Sequence, residues 1–400
     1  MIAPVVSSKR DVQAFHPFLK LNRLLGDIPA GRSPLADGAP IALQIGEPQN
    51  DPPPFITEEL ARAAAGWNRY PPPRGSELYR ESCVDWLARR YPSGAGLVEG
   101  DRHILPLPGS REGLFFAALA AVTPERDTIL MPNPFYHVYA GAAVAAGARP
   151  MFVPATAESG FLPDYAALDA RTLERTALAY LNTPSNPQGA VADRETLERA
   201  IATARRHGFV LCLDECYSEI YDATPPPGGL EAAAALGGGL EGVLLFHSLS
   251  KRSSAPGLRC GFVAGDARWI DRLDAALRVG GAGVPLPILA AGARLWGEED
   301  HVEANRRRYR ANFEAAEAAL GAQRTARPQA GFFLWLAVED GEAAAVKLWR
   351  EAGIRVLPGA YMGEPDEAGA NPGAGYIRIA LVYDAEFMHM ALTRLGEVLG

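Results

Sequence analysis

Long apolar runs are missing from this sequence. No segment reaches the roughly 20 residues that a helix needs to cross a bilayer, so a membrane-spanning chain is not expected. Residues 1–10 carry only a short apolar run before polar residues, too little for a secretion signal. Basic runs are missing as well. A net charge of −8 with no Lys/Arg-rich block argues against a nucleic-acid-binding surface. Cysteine is scarce: Cys83, Cys212, Cys216 and Cys260 show no paired zinc spacing. Cys212 and Cys216 come closest, but no second pair follows, so they read as reduced thiols on or near a strand and no metal is expected. There is no internal repeat. What remains is a 400-residue chain of ordinary globular composition. It is long enough for two or so domains and for a core that needs no staples. A soluble cytoplasmic enzyme is the expectation.

Apolar periodicity and turn residues give the organisation. An amphipathic piece near residues 18–25 reads as a short helix, and residues 41–45 as a strand closed by Gly46-Glu47-Pro48. Thr57 is expected to cap a helix reaching Ala65, with Glu58 and Glu59 in its first turn. Pro71, Pro72 and Pro73 forbid regular helix, so Asn68 to Gly75 is expected to be an extended loop presenting Tyr70. A helix then runs from about Ser76 to Arg90. Residues 103–107 read as a strand, Pro108-Gly109 as a tight turn and Ser110 to Val122 as a helix. Such a helix start is a ready anion site, because its first-turn N–H groups are unpaired.

From Asp127 to about residue 264 strands and helices alternate, which predicts an α/β arrangement: a mostly parallel sheet covered by helices on both faces. The Pro225–Gly229 and Gly237–Gly239 stretches read as surface punctuation. After helices near 267–279 and 286–295 the pattern changes. A long charged helix, residues 301–320, is followed by short strands at 332–338, 354–357 and 376–382 with flanking helices. We therefore expect a large domain over residues 51–295 and a smaller α+β domain over 296–400, which residues 1–50 join.

The most informative stretch is Phe246-His247-Ser248-Leu249-Ser250-Lys251-Arg252, which follows the short apolar strand at 242–246. Residues 248–259 should form the loop at the carboxyl end of that strand, where open α/β sheets bind ligands. A lysine there can attack a carbonyl and form a Schiff base. Ser248, Ser250, Arg252 and Arg259 are the hydroxyls and guanidinium groups that a phosphorylated aldehyde would need. Taken alone, the stretch reads equally well as a solvated basic loop.

Two strand ends break the tie. Asn182-Thr183-Pro184-Ser185-Asn186-Pro187-Gln188-Gly189 closes one strand, and Asp214-Glu215-Cys216-Tyr217 closes the next. An Asp at the end of an apolar strand is expensive to bury without a cationic partner, and a protonated pyridine nitrogen is such a partner. Singly, Asn186 could belong to an Asx-turn and Asp214 could cap a helix. Jointly, those readings do not hold.

With these residues in order, the sequence resembles the fold type I pyridoxal-phosphate aminotransferases of class I/II. The resemblance spans Ile45-Gly46-Glu47-Pro48 to Gly375-Tyr376-Ile377-Arg378-Ile379-Ala380. Its markers come in family order: Tyr-Pro-Pro-Pro-Arg-Gly, Gly-Ser-Arg-Glu-Gly, Asn-Pro-Phe-Tyr, Asn-Pro-x-Gly, Asp-Glu-x-Tyr, Ser-x-Ser-Lys and the late Arg. The resemblance implies a seven-stranded-type sheet in the large domain and pyridoxal 5'-phosphate as cofactor. It makes Lys251 the Schiff-base lysine and proton carrier. Asp214 would pair with the pyridine nitrogen, Asn186 and Tyr217 would bond the ring 3-oxygen, and Tyr136 would stack on the ring. Ser110, Arg111, Ser248, Ser250 and Arg259 would hold the phosphate, and Tyr70 would reach the phosphate of the neighbouring subunit of a homodimer. Arg378, helped by Gly46 and beside Asn186, would clamp the substrate carboxylate. Two positions depart from the usual pattern: Arg111 replaces a small hydroxyl residue and Gln188 a threonine.

The contexts of Lys251, Asn-Pro-Phe-Tyr and Arg378 look most like bacterial succinyldiaminopimelate aminotransferases. That likeness implies amino-group exchange between L-glutamate and N-succinyl-2-amino-6-oxopimelate, with Arg23, Arg74, Arg252 or Arg278 open as partners of a distal carboxylate. Transamination of aspartate, alanine or an aromatic amino acid, or C–S β-elimination, would use the same motifs. A transcription regulator with this domain as its sensor would need a basic winged helix, which residues 1–40 do not provide.

Overall fold

The computed structural model describes residues 12–400; the apolar run at residues 1–10 lies outside them. A seven-stranded sheet forms the centre. Across it the strands run Ile104–Leu107, Gly261–Gly265, Val243–Ser248, Val210–Asp214, Thr176–Asn182, Thr128–Asn133 and Arg149–Pro154. Only Gly261–Gly265 runs antiparallel to its neighbours, so the mostly parallel sheet expected from the strand–helix alternation is what forms.

Its inner strands are mostly apolar and buried because helices cover both faces. Alternate side chains serve opposite layers. Leu211, Leu213 and Leu245 join one core with Trp86, Leu197 and Leu289. Val210, Cys212, Leu244 and Phe246 join the other with Leu114, Tyr139 and Leu273. Each fully buried aliphatic side chain of this kind contributes roughly 1.5–3 kcal/mol relative to exposure. Gly265 has no room for a side chain: a Cβ would lie 2.2 Å from the Val243 carbonyl oxygen of the adjacent strand.

Beside this layer lies a three-stranded antiparallel sheet, Leu357–Pro358, Tyr376–Ala380 and Phe333–Ala337, with Arg378 on its central strand. The early strand Ile41–Ala42 pairs in parallel with Ile354–Arg355. The helix Pro17–Leu25 buries Leu21 and Leu25 against Leu357 and Met362. The long helix Asp300–Leu320 packs on the last helix, Ala385–Leu399. Among the described residues no helix is long and apolar enough to cross a membrane.

Several local expectations are corrected. The helix expected to start at Thr57 spans Phe55–Arg62 with Pro54 at its N-cap, so Thr57 lies inside the first turn and caps nothing. The strand expected to reach residue 45 stops at Ala42, which frees Ile45, Gly46 and Glu47 to turn into a cavity. The segment after Ser248 is not simple loop. Leu249–Arg252 is one helical turn, capped where the Ser248 hydroxyl accepts from the Ser250 N–H. Between the two Gly/Pro stretches read as punctuation lies a buried helix, Gly229–Leu236; it begins where the Glu215 carboxylate accepts from the Gly229 N–H at 2.6 Å. That long-range contact has no signature in local sequence.

Candidate active site

Three parallel strands end side by side at Asn182, Asp214 and Ser248. Their carboxyl ends open into a cavity of about 550 Å³, in the position where ligands bind open α/β sheets. Of the residues singled out in the sequence, Gly46, Ser110, Arg111, Tyr136, Asn186, Asp214, Tyr217, Ser248, Ser250, Lys251, Arg259 and Arg378 all line it. Tyr70 does not: it is 99% exposed on this chain.

Lys251 sits at the centre, on the helical turn after Ser248. Its Nζ donates to the Gly46 carbonyl oxygen and lies 5.2 Å from the centre of the Phe332 ring. Burial, which disfavours the ammonium, lowers its pKa to about 8. A lysine so poised is a competent nucleophile near neutral pH. Asp214 is 5% exposed. It accepts from the Tyr139 hydroxyl at 2.7 Å and from the Cys216 N–H at 3.3 Å, and no cation pairs with it among the described residues. Burial therefore raises its pKa. A buried carboxylate without a cation calls for one from a bound molecule, which a pyridinium nitrogen supplies.

The end of the cavity at Ser110–Ala121 is built for an anion. That helix starts after Gly109, whose φ of +85° favours glycine, and its first N–H groups face the site. The Arg259 guanidinium lies over Gly109, so close that a Cβ there would meet Nη2 at 2.4 Å. Among the described residues its side chain bonds only to the carbonyls of Pro256 and Pro108, both at 3.0 Å, and no carboxylate there compensates its charge. Ser248 and Ser250 share a hydrogen bond of 2.9 Å beside it. Arg111 turns its Nε to the Tyr136 hydroxyl at 3.0 Å. The donor set thus fits a phosphorylated pyridine aldehyde at both ends.

Opposite stands Arg378, 4% exposed. It donates to Asn186 Oδ1 at 2.9 Å and to the Gln44 carbonyl at 2.6 Å, and lies 4.3 Å from the centre of the Phe333 ring. Among the described residues no carboxylate pairs with it and its Nε is buried without a partner; burial lowers its pKa to about 10. Asn186 is held in turn by the Asn182 side chain, which accepts from its N–H at 2.6 Å and donates to the Asp214 carbonyl at 2.8 Å.

Sequence reading missed several members. Tyr139 lies three residues after Tyr136 on the same helix, a spacing that could have flagged it. Cys216 was read as a thiol near a strand; it lines the cavity, its thiol 2.9 Å from the Ser110 hydroxyl. Pro17, Phe18, His137, Phe333 and Met362 complete the wall from distant parts of the chain. Of the four arginines left open for a distal carboxylate, Arg23, Arg74, Arg252 and Arg278, none lines the cavity. Arg74 and Arg278 pair with Asp274, and Arg252 with Glu299.

A family model described as aminotransferase class I and II matches residues 39–395. An LL-diaminopimelate aminotransferase of Desulforudis audaxviator is 36% identical over 369 residues, covering 90% of each chain. Among solved structures, an aminotransferase of Neisseria meningitidis superimposes with a TM-score of 0.89 at 37% identity, covering 96% of this chain and 97% of that one. A Thermus thermophilus protein described as "probable N-succinyldiaminopimelate aminotransferase" gives 0.81 at 27% identity, covering 96% and 100%.

Proposed function

Because the chain belongs to the class I and II aminotransferases, a family dependent on pyridoxal 5'-phosphate, we propose that it moves an amino group between L-glutamate and a keto acid of the diaminopimelate series that carries more than one carboxylate. N-Succinyl-2-amino-6-oxopimelate is the keto acid we favour. The observation that carries the reading is the pairing, in one cavity, of a lysine poised near neutrality with a buried arginine that lacks any acidic partner.

When bound, the cofactor supplies a ring that withdraws electrons from the substrate's Cα. The chain's residues do the rest. Lys251 would anchor the cofactor and carry the proton from Cα. Asp214, kept oriented by Tyr139, would pair with the ring nitrogen. Asn186 and Tyr217 would bond the ring oxygen, and Tyr136 would stack on the ring. Ser110, Arg111, Ser248, Ser250 and Arg259 would hold the phosphate. Arg378, with the Gly46 backbone, orients the substrate carboxylate so that the Cα–H bond faces Lys251. The division at residues 50 and 295 belongs to the same reading, supported by the small sheet that carries Arg378 and by the pairing of Ile41–Ala42 with Ile354–Arg355. So do a cytoplasmic location and a homodimer in which Tyr70 reaches the neighbouring site. The fully exposed Tyr70 ring supports the latter. Unblocked diaminopimelate is the second reading, favoured by the relative of that name and by the Glu47 carboxylate in the cavity wall, which suits a distal ammonium.

Cofactor-loaded protein mixed with excess L-glutamate tests this. Visible absorbance should show the cofactor passing from its aldehyde to its amine form, and the succinylated keto acid should reverse the change faster than other keto acids. An unchanged spectrum, with ammonia released from a cysteine-derived thioether instead, would make the reaction a β-elimination.

The lysine gives a separate expectation. Only neutral Lys251 can attack the cofactor's aldehyde, so capture of cofactor by the apoprotein should quicken about tenfold per pH unit up to about pH 8 and level off above it. Stopped-flow absorbance checks this. A rise continuing to the ordinary lysine range near 10.4 would mean that burial leaves the amine unperturbed.

A further inference from the structure

The wall of the cavity beside Tyr136 contains a second constellation that the roles above do not use. His137 opens the helix His137–Ala146 and lines the cavity with Arg111 and Arg378. His16, from the segment before the helix Pro17–Leu25, packs against it with ring centroids 5.0 Å apart and planes tilted by 45°. His16 Nδ1 is buried and without a partner. The His137 imidazole makes no hydrogen bond to another described residue. The charges that act on His137 come from His16, Arg111 and Arg378, all bases; with burial as the larger cause they lower its pKa to about 3. No metal accounts for the pair, since among the described residues no third His, Cys, Asp or Glu joins it. A buried imidazole nitrogen without a partner is costly unless a ligand or water supplies one.

We propose that His137, with His16 packed behind it, receives the anionic far end of the substrate: the distal carboxylate of a dicarboxylic amino or keto acid whose α-carboxylate is held by Arg378. The corner has the chemistry for it. The His137 imidazole and the ten-residue helix that it opens border the cavity, with Arg111 close by. The first wall of the pocket, Pro17, Phe18 and Met362, is apolar and suits the methylene chain between the two carboxylates. This deepens the transamination reading by naming the residue that separates dicarboxylic from monocarboxylic substrates.

Equilibrium binding tests it without turnover. Calorimetry on the cofactor-loaded protein should show glutarate binding at least about tenfold more tightly than pentanoate, which has the same chain length and one carboxylate, because a hydrogen bond to a charged group carries that much. His137→Leu should bring the ratio close to one. His137→Gln, which keeps a donor, should restore part of it, and His16→Gln should lower it by about threefold. Retention of the wild-type ratio in His137→Leu would overturn the proposal; should that variant not fold, an undiminished ratio in both glutamine variants would do so. Glutamate-driven conversion of the cofactor is read independently, so failure here leaves transamination standing.

Discussion

Replacing Lys251 by alanine is expected to lower amino-group transfer by at least about 10⁴-fold, the upper range for loss of a positioned acid–base group, with the fold retained. The lysine has two duties in the proposed reaction, and one side chain carries both. As the anchor it holds the cofactor's reactive carbon in line with the substrate, so its loss also removes the positioning on which the proton transfer depends. As the base it must be neutral, and burial raises the neutral fraction near neutral pH by bringing its pKa down to about 8. Retention of the fold follows from its surroundings. Lys251 reaches into the cavity rather than into either core cluster, and its partner Gly46 is a backbone carbonyl at the cavity rim. Single-turnover spectra with glutamate measure the loss, and thermal melting measures the fold. Turnover within about tenfold of wild type would remove Lys251 from the chemistry and, with it, the reading of the whole site.

The large sheet was legible in the sequence because each of its strands is short, apolar and bounded by turn residues, and because burial on both faces removes the polar alternation that would mark a one-sided sheet. The site residues were legible for a related reason: Asp214 ends such a strand, and Asn186 and Lys251 lie within one short turn of another's end, so a polar residue there needs a purpose. Contacts made through space were not legible. Nothing near Glu215 announces that its carboxylate starts a helix at Gly229, and nothing near Pro17 or Phe18 announces that an early segment walls a cavity built mostly from Ser110 onward. Tyr70 marks the opposite limit. Its loop was identified from three prolines, yet a single chain leaves the ring in solvent.

Arg378→Ala should weaken binding of glutamate and of the keto acid by about 2–4 kcal/mol, roughly 30- to 1000-fold, the range for removing one partner of a buried charged contact. The arginine is prepared for this contact at a cost. It is buried on the central strand of the small sheet, held by Asn186 and the Gln44 carbonyl, and given no carboxylate of the protein to neutralise it. Burial already brings its pKa down to about 10, so a substrate carboxylate meets a guanidinium whose hydration has been removed in advance. Cofactor affinity should fall less, by no more than about tenfold, because Arg378 would act on the cofactor through Asn186, and one neutral hydrogen bond carries at most about 1.5 kcal/mol. Arg378→Lys separates charge from geometry: the ammonium keeps the sign but loses the planar fork, so it should recover only part of the binding. Substrate titrations of all three proteins, followed by cofactor absorbance, measure both affinities. Unchanged substrate saturation in Arg378→Ala would show that the carboxylate is held elsewhere in the cavity and that the empty donors of Arg378 serve the protein alone.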